Sequence, residues 1–111
     1  TAMTEAGYNA AIVVDCSHAN SNKDYRRQGE VADDVLRQME QGNRSIVGIM
    51  LESHIHAGNQ KLTVNLSELD YGVSITDACI DWQTTEALLL DYHQRLIAVV
   101  KNKMMSSLSV A

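Results

Sequence analysis

Apolar residues along the chain fall into short blocks typical of strands and longer stretches with helical spacing. Residues 9–16 are almost continuous Ala, Ile and Val, and residues 45–53 repeat the pattern as "SIVGIMLES". Unbroken apolar runs of this length are typical of parallel strands that are covered on both faces. We therefore predict strands over 9–16 and 45–53, and a shorter third strand over 73–77 that ends in a carboxylate.

A helix is predicted over 21–41, between the first two strands. Ser21 and Asp24 fit a capping box, and Gly42 supplies a stop at the other end. Its apolar stripe consists of Ala32, Val35, Leu36 and Met39.

A second helix is predicted over 82–103, capped by Asp81 or Thr84. Between strands two and three, residues 54–70 are rich in Gly, Asn, Gln and Ser, and they predict a long loop. Residues 106–111 are expected to form a frayed tail. The order β-α-β-loop-β-α in one domain predicts an α/β fold with parallel strands and right-handed crossovers.

Composition limits the partners of the chain. The formal net charge is -5 over 111 residues, and no basic cluster offers a surface for nucleic acid. No apolar run approaches the roughly 20 residues that a membrane helix needs. The start "TAMTEAG" lacks the charged and apolar regions of a signal peptide, which favours the cytoplasm. Cys16 and Cys79 are therefore expected to be free thiols rather than a disulfide.

All three predicted strands end in residues that can bind a metal: His18, Glu52 and Asp77. The carboxyl ends of parallel strands lie along one edge of a sheet, which is where α/β proteins bind their ligands. One imidazole and two carboxylates suit a divalent metal such as Mn²⁺, Fe²⁺, Co²⁺ or Zn²⁺. The sequence therefore predicts a metal site at this edge.

Each of these residues also has a simpler interpretation. A histidine that follows a strand is often only a turn residue, so His18 need not bind anything. Carboxylates after a strand often cap the next helix, and Asp77 or Asp81 would serve equally well.

Other candidate residues have structural interpretations that remain open. Cys16 and Cys79 are expected to pack in the core. His54 and His56 belong either to the loop surface or to the surroundings of the metal site. Trp82 is expected to pack against the protein rather than to contact a substrate.

Three motifs together resemble the type I 3-deoxy-D-arabino-heptulosonate 7-phosphate (DAHP) synthases. They are "VDCSHANSNK" (Val14–Lys23), "GIMLESHIHAGNQ" (Gly48–Gln60) and "YGVSITDACIDW" (Tyr71–Trp82), and the similarity extends over roughly residues 8–103. The resemblance implies a (β/α)₈ barrel enzyme of the shikimate pathway. Such an enzyme condenses phosphoenolpyruvate with erythrose 4-phosphate in the first step of aromatic amino acid biosynthesis.

The resemblance also implies roles for particular residues. The family binds its divalent metal through a Cys, a His, a Glu and an Asp, and the last three correspond to His18, Glu52 and Asp77. The family's cysteine lies on an earlier strand and has no counterpart here, so Cys16 does not take that role. His18 is also expected to act in catalysis, and Asp15 and His54 are candidates for orienting the metal ligands.

The resemblance further implies that the 111-residue chain comprises the last three β/α units of an incomplete barrel, since a whole barrel needs about 250 residues. The expectation is a C-terminal fragment, inactive alone, that forms a homo-oligomer through its open sheet edges. Lys23, Arg26 and Arg27 are expected to start a helix rather than to bind phosphate. Two alternatives remain: a non-catalytic metal-binding or self-associating module, and a small flavodoxin-like domain.

Overall fold

The computed structural model of the protein describes residues 2–109, in which two parallel strands form the sheet. Strand β1 (Ile12–Asp15) pairs with β2 (Ile46–Met50), and helix α2 (Gln28–Glu40) connects the two strands. A short helix α1 (Ala2–Glu5) precedes β1. The predicted α/β class with parallel strands is confirmed. No helix in the described part of the chain has both the length and the apolar character required to span a bilayer.

Helix α2 begins seven residues later than the sequence predicted. Asn22 and Lys23 have φ values of 55° and 60°, and a right-handed helix cannot continue through two left-handed residues. The predicted capping box does not form. The Ser21 hydroxyl instead donates to the Ser17 carbonyl, and Asp24 accepts from the Arg26 amide at the start of a short 3₁₀ turn. The other end is as predicted, because Gly42 adopts a φ of 108° just beyond the helix.

The third strand predicted over 73–77 does not form. Within this segment, Ser74 makes one isolated bridge with Asn59. The Thr76 amide donates to the Ser74 hydroxyl, and the Gln60 side chain donates to the carbonyl of residue 73. Side chains therefore satisfy the backbone groups that a neighbouring strand would otherwise pair. Residues 54–70, predicted as a loop, are mainly irregular and contain one 3₁₀ turn at Leu66–Glu68.

The core lies between the sheet and two helices. Cys16, Ala32, Leu36 and Tyr92 are all buried and form one cluster. Both cysteines are free and buried, as predicted, and burial raises the pKa of the Cys16 thiol. Burial also raises the pKa of Tyr92 to about 12, so its hydroxyl stays neutral at physiological pH.

Helix α3 (Trp82–Ser109) is longer than predicted and includes most of the expected tail; residues 110–111 lie outside the described residues. Asp81 is its cap, since its carboxylate accepts from the Thr84 amide at 2.8 Å. The prediction that Trp82 packs into the protein is wrong, because this residue is 52% exposed.

The predicted coverage of both strands on both faces is not found among the described residues. Val13 in β1 is 62% exposed and Val47 in β2 is 63% exposed. Isolated exposed apolar residues are common, but valines in the middle of paired strands usually pack against another layer. The sheet therefore presents apolar surface that no described residue covers.

Arg95 joins the two long helices. Its guanidinium, on α3, contacts Asp33 and Glu40, which both lie on α2, and its side chain is only 20% exposed. We expect Arg95→Met, which keeps most of the aliphatic stem, to lower the free energy of unfolding in urea by about 1 kcal/mol at pH 7. The matched control is Arg37→Met. Its ion pairs to Asp33 and Asp34 lie within α2, so it should cost only about 0.2–0.5 kcal/mol.

The contribution of Arg95 should depend on pH. Arg95 holds the pKa of Asp33 below its ordinary value, so Asp33 contributes stability above that ordinary value. This contribution is lost as the pH falls through the lowered pKa, where the folded protein also binds the proton. The difference between wild type and Arg95→Met should therefore shrink below about pH 4. A difference that is unchanged at pH 3 would contradict this role.

Candidate metal centre

The turn after β1 fixes the position of His18. The Asp15 carboxylate accepts hydrogen bonds from the amides of Ser17, at 2.8 Å, and His18, at 3.2 Å. Asn20 closes the same turn by donating its side-chain amide to the Asp15 carbonyl. Asp15 is the last residue of the strand, so the turn is built directly on the sheet edge.

The two ring nitrogens of His18 have different surroundings. Nδ1 lies 2.7 Å from Asp15 Oδ2, whereas Nε2 lies 3.2 Å from Asp77 Oδ2 and 3.7 Å from Glu52 Oε1. The hydrogen bonds to Asp15 and then to Asp77 raise the pKa of His18. The hydrogen bond from His18 also lowers the pKa of Asp15. Asp15 therefore orients the ring with Nε2 directed toward the two other carboxylates.

Glu52 is held from two sides at the end of β2. The Ser17 hydroxyl donates to Glu52 Oε2. The fully buried Gln28 binds the Glu52 backbone at both polar atoms, since Nε2 donates to the carbonyl at 3.1 Å and Oε1 accepts from the amide at 2.8 Å. This pair of bonds resembles the pairing with a neighbouring strand. Helix α2 thereby fixes the position of a strand end on which a candidate ligand lies.

His18, Glu52 and Asp77 fit a divalent metal. One possible ligand atom from each residue lies within 4.8 Å of the other two. Ligand atoms about 2.1 Å from a shared metal lie about 3–4 Å apart, close to the distances found here. Asp15 beside Nδ1 completes the carboxylate–histidine arrangement that commonly supports a metal-binding imidazole.

The three residues open into a cavity of about 280 Å³ at the carboxyl edge of the sheet. The residues that line it are Ser17, His18, Lys23, Glu52, Asn59, Asp77 and Ala78. Most carry polar or charged side chains, so the cavity suits a polar ligand in contact with the metal position.

Several sequence candidates lie elsewhere. Cys16 belongs to the core, and its buried thiol is not part of the cavity wall. His54 is exposed beside Ile55 and Trp82, and its Nδ1 accepts from the Ile55 amide. The structure therefore places His54 outside the cavity that contains His18.

The sequence interpretation missed Gln28 and Ser17. It assigned Lys23 to the start of a helix, whereas a φ of 60° places this residue in the turn before α2, where it lines the cavity. Gln28 had a detectable signal, because it lies four residues before Ala32 on the stripe that α2 buries. A polar residue at a buried helical position needs a hydrogen-bond partner. The sequence offered no way to identify Glu52 as that partner, 24 residues away.

A sequence profile described as the DAHP synthetase I family matches residues 1–90 of the chain. The chain belongs to this family. Within the DAHP synthetase I family it is similar to phospho-2-dehydro-3-deoxyheptonate aldolase, Tyr-sensitive, of Escherichia coli strain K12, with 57% identity over 94 residues. That match covers 85% of this chain and 26% of the relative. The protein of the same name from Enterobacter agglomerans is 53% identical over 102 residues, covering 92% of this chain and 48% of the relative.

A solved structure of another aldolase of this name is also similar to the chain. The phospho-2-dehydro-3-deoxyheptonate aldolase of Francisella tularensis SCHU S4 is 37% identical, with a TM-score of 0.75. The match covers 83% of this chain and 26% of that one. The chain thus spans about a quarter of the length of these E. coli and F. tularensis relatives.

Proposed function

We propose that this chain is part of a metal-dependent DAHP synthase that condenses phosphoenolpyruvate with erythrose 4-phosphate. The observation that carries the proposal is the convergence of His18, Glu52 and Asp77 at one cavity, in a chain of this family. In this reading the chain forms the last three β/α units of a (β/α)₈ barrel. The exposed valines of β1 and β2 support this, since the rest of a barrel would cover them.

Each residue would have a separate role at the site. His18 Nε2, Glu52 and Asp77 would hold the divalent metal, and Asp15 would keep the His18 ring in the orientation that presents Nε2. A bound metal would supply Lewis acidity toward the aldehyde oxygen of erythrose 4-phosphate. Ser17 and Gln28 would keep Glu52 in position before substrate arrives, which reduces the reorganisation needed during reaction.

The isolated 111-residue chain is expected to be inactive. The family resemblance assigns a fourth metal ligand, a cysteine, to a strand that precedes this segment, and neither Cys16 nor Cys79 lies in the cavity wall. A second candidate function, a self-associating module without catalysis, is favoured by the exposed apolar residues Val13 and Val47. We infer that the chain alone forms a homo-oligomer through this sheet, and a monodisperse monomer in light scattering would overturn that inference.

A chimera tests the enzymatic proposal. This chain would replace the matching 94-residue segment of the E. coli relative, to which it is 57% identical. We expect the chimera to condense phosphoenolpyruvate with erythrose 4-phosphate in the presence of Mn²⁺. His18→Ala in the chimera should abolish turnover, whereas His93→Ala, an exposed histidine on α3, should leave it unchanged. A folded chimera without activity would refute the proposal.

A further inference from the structure

The cavity wall contains a cation that the metal site does not explain. We propose that Lys23 binds a phosphate group of the substrate beside the candidate metal centre. This inference rests on the proposed function and adds to it a residue that selects for an anionic substrate.

The charges around the cavity favour an anion once a metal is bound. Glu52 and Asp77 together neutralise a divalent cation, and Lys23 is the sole lysine or arginine among the described residues that line the cavity. With the Asp15 carboxylate behind His18 the site as a whole is then neutral, so an anion that enters the cavity meets the metal and Lys23 rather than a net negative charge. A lysine ammonium is a common point-charge ligand of phosphate.

Lys23 has no ion pair within residues 2–109, in contrast to its neighbours along the chain. Arg26 pairs with Asp24 at 2.9 Å, and Arg27 pairs with Glu30 at 3.4 Å. These two arginines are therefore occupied by local carboxylates at the start of α2. The ammonium of Lys23 remains available to a ligand.

The backbone of Lys23 is strained, and a hydrogen bond to the turn that contains His18 keeps this residue at the cavity. Its φ of 60° follows a φ of 55° at Asn22, and the Lys23 amide donates to the His18 carbonyl at 2.8 Å. Asn tolerates the left-handed region, whereas Lys is disfavoured there. Strained residues of this kind cluster at functional sites. A lysine at a position better suited to Asn points to a role for its charge.

The design of the test follows from this conformation. Lys23→Asn removes the charge but suits the left-handed backbone, and Lys23→Arg keeps the charge. Asn22→Gly is the matched control, because it changes the same loop without changing any charge. Each 111-residue variant is loaded with Mn²⁺, and inorganic phosphate binding is measured by paramagnetic relaxation of its ³¹P signal.

We expect Lys23→Asn to weaken phosphate binding by roughly tenfold or more, since a charge-assisted contact is lost. Lys23→Arg should remain within about threefold of wild type, and Asn22→Gly should have no effect. Mn²⁺ affinity measured without phosphate should stay constant or rise by about two- to fivefold in Lys23→Asn, because a repelling charge is removed.

The outcomes separate this inference from the metal proposal. If wild type binds no Mn²⁺, His18, Glu52 and Asp77 do not form a metal site in this chain, and phosphate binding beside that metal is refuted with it, whereas the enzymatic proposal is still decided by the chimera. If wild type binds Mn²⁺ but binds phosphate no better than Lys23→Asn does, only the role of Lys23 is refuted. A Lys23→Asn variant that loses both ligands would also refute it, because the lysine would then support the site structurally.

Discussion

Glu52→Gln should lower the Mn²⁺ affinity of the chain by on the order of 100-fold or more. The substitution keeps the size of the side chain but removes one of the two negative charges that face His18 Nε2. A neutral amide oxygen offsets the charge of a divalent cation poorly, and losing a ligand should cost more than losing one of its supports. Free Mn²⁺ measured by electron paramagnetic resonance during a titration gives the affinity directly.

Glu68→Gln is the matched control for this experiment. Glu68 is an exposed carboxylate in the 3₁₀ turn of the long loop and does not line the cavity. Its loss changes the net charge by the same amount, so any general electrostatic effect on Mn²⁺ binding appears in both variants. Equal affinities in Glu52→Gln and Glu68→Gln would show that Mn²⁺ binds elsewhere on the chain.

The parts of the fold that could be predicted depend on local periodicity. The apolar runs around Val14 and Ile49 identified the two parallel strands, and the stripe of Ala32 and Leu36 identified the buried face of α2. The start of α2 was not predictable in this way. It depends on the left-handed backbone of Asn22 and Lys23, which the capping pattern in the sequence did not indicate.

The third strand, predicted over 73–77, does not form for a related reason. Its apolar character was read correctly, but a strand needs a hydrogen-bonded neighbour along its length. Around Ser74 and Thr76 the backbone is instead satisfied by side chains, including those of Asn59 and Gln60. Asn59 and Gln60 lie more than ten residues from the groups they bind, and periodicity contains no information about such partners.

The candidate site, like the fold, could be predicted from the sequence only in part. His18, Glu52 and Asp77 could be selected from sequence because the ends of parallel strands share one edge. The structure brings them together even though Asp77 lies in an irregular segment rather than in a strand. The residues that hold them in place could not be selected, since Gln28 and Ser17 acquire their roles only through contacts formed in the folded chain.

Gln28→Leu should affect both the stability of the chain and its metal site. The variant leaves the amide of Glu52 without its partner, whereas the Glu52 carbonyl still accepts from the Ile80 amide, and an unsatisfied polar group away from water costs about 1–3 kcal/mol. Mn²⁺ affinity should fall by about 10–100-fold, as is typical when the support of a metal ligand is removed. Urea unfolding and a Mn²⁺ titration of the same preparation measure the two effects.

The matched control is Leu36→Ala, which separates positioning from stability. Leu36 is buried on the same helix but belongs to the apolar core, so its truncation should cost about 2–5 kcal/mol. In the folded protein this control should keep Mn²⁺ affinity within about threefold of wild type, because Glu52 retains both of its bonds to Gln28. If Leu36→Ala loses as much Mn²⁺ affinity as Gln28→Leu, the effect reflects general loosening of the fold. Gln28 would then have no separate role in positioning Glu52.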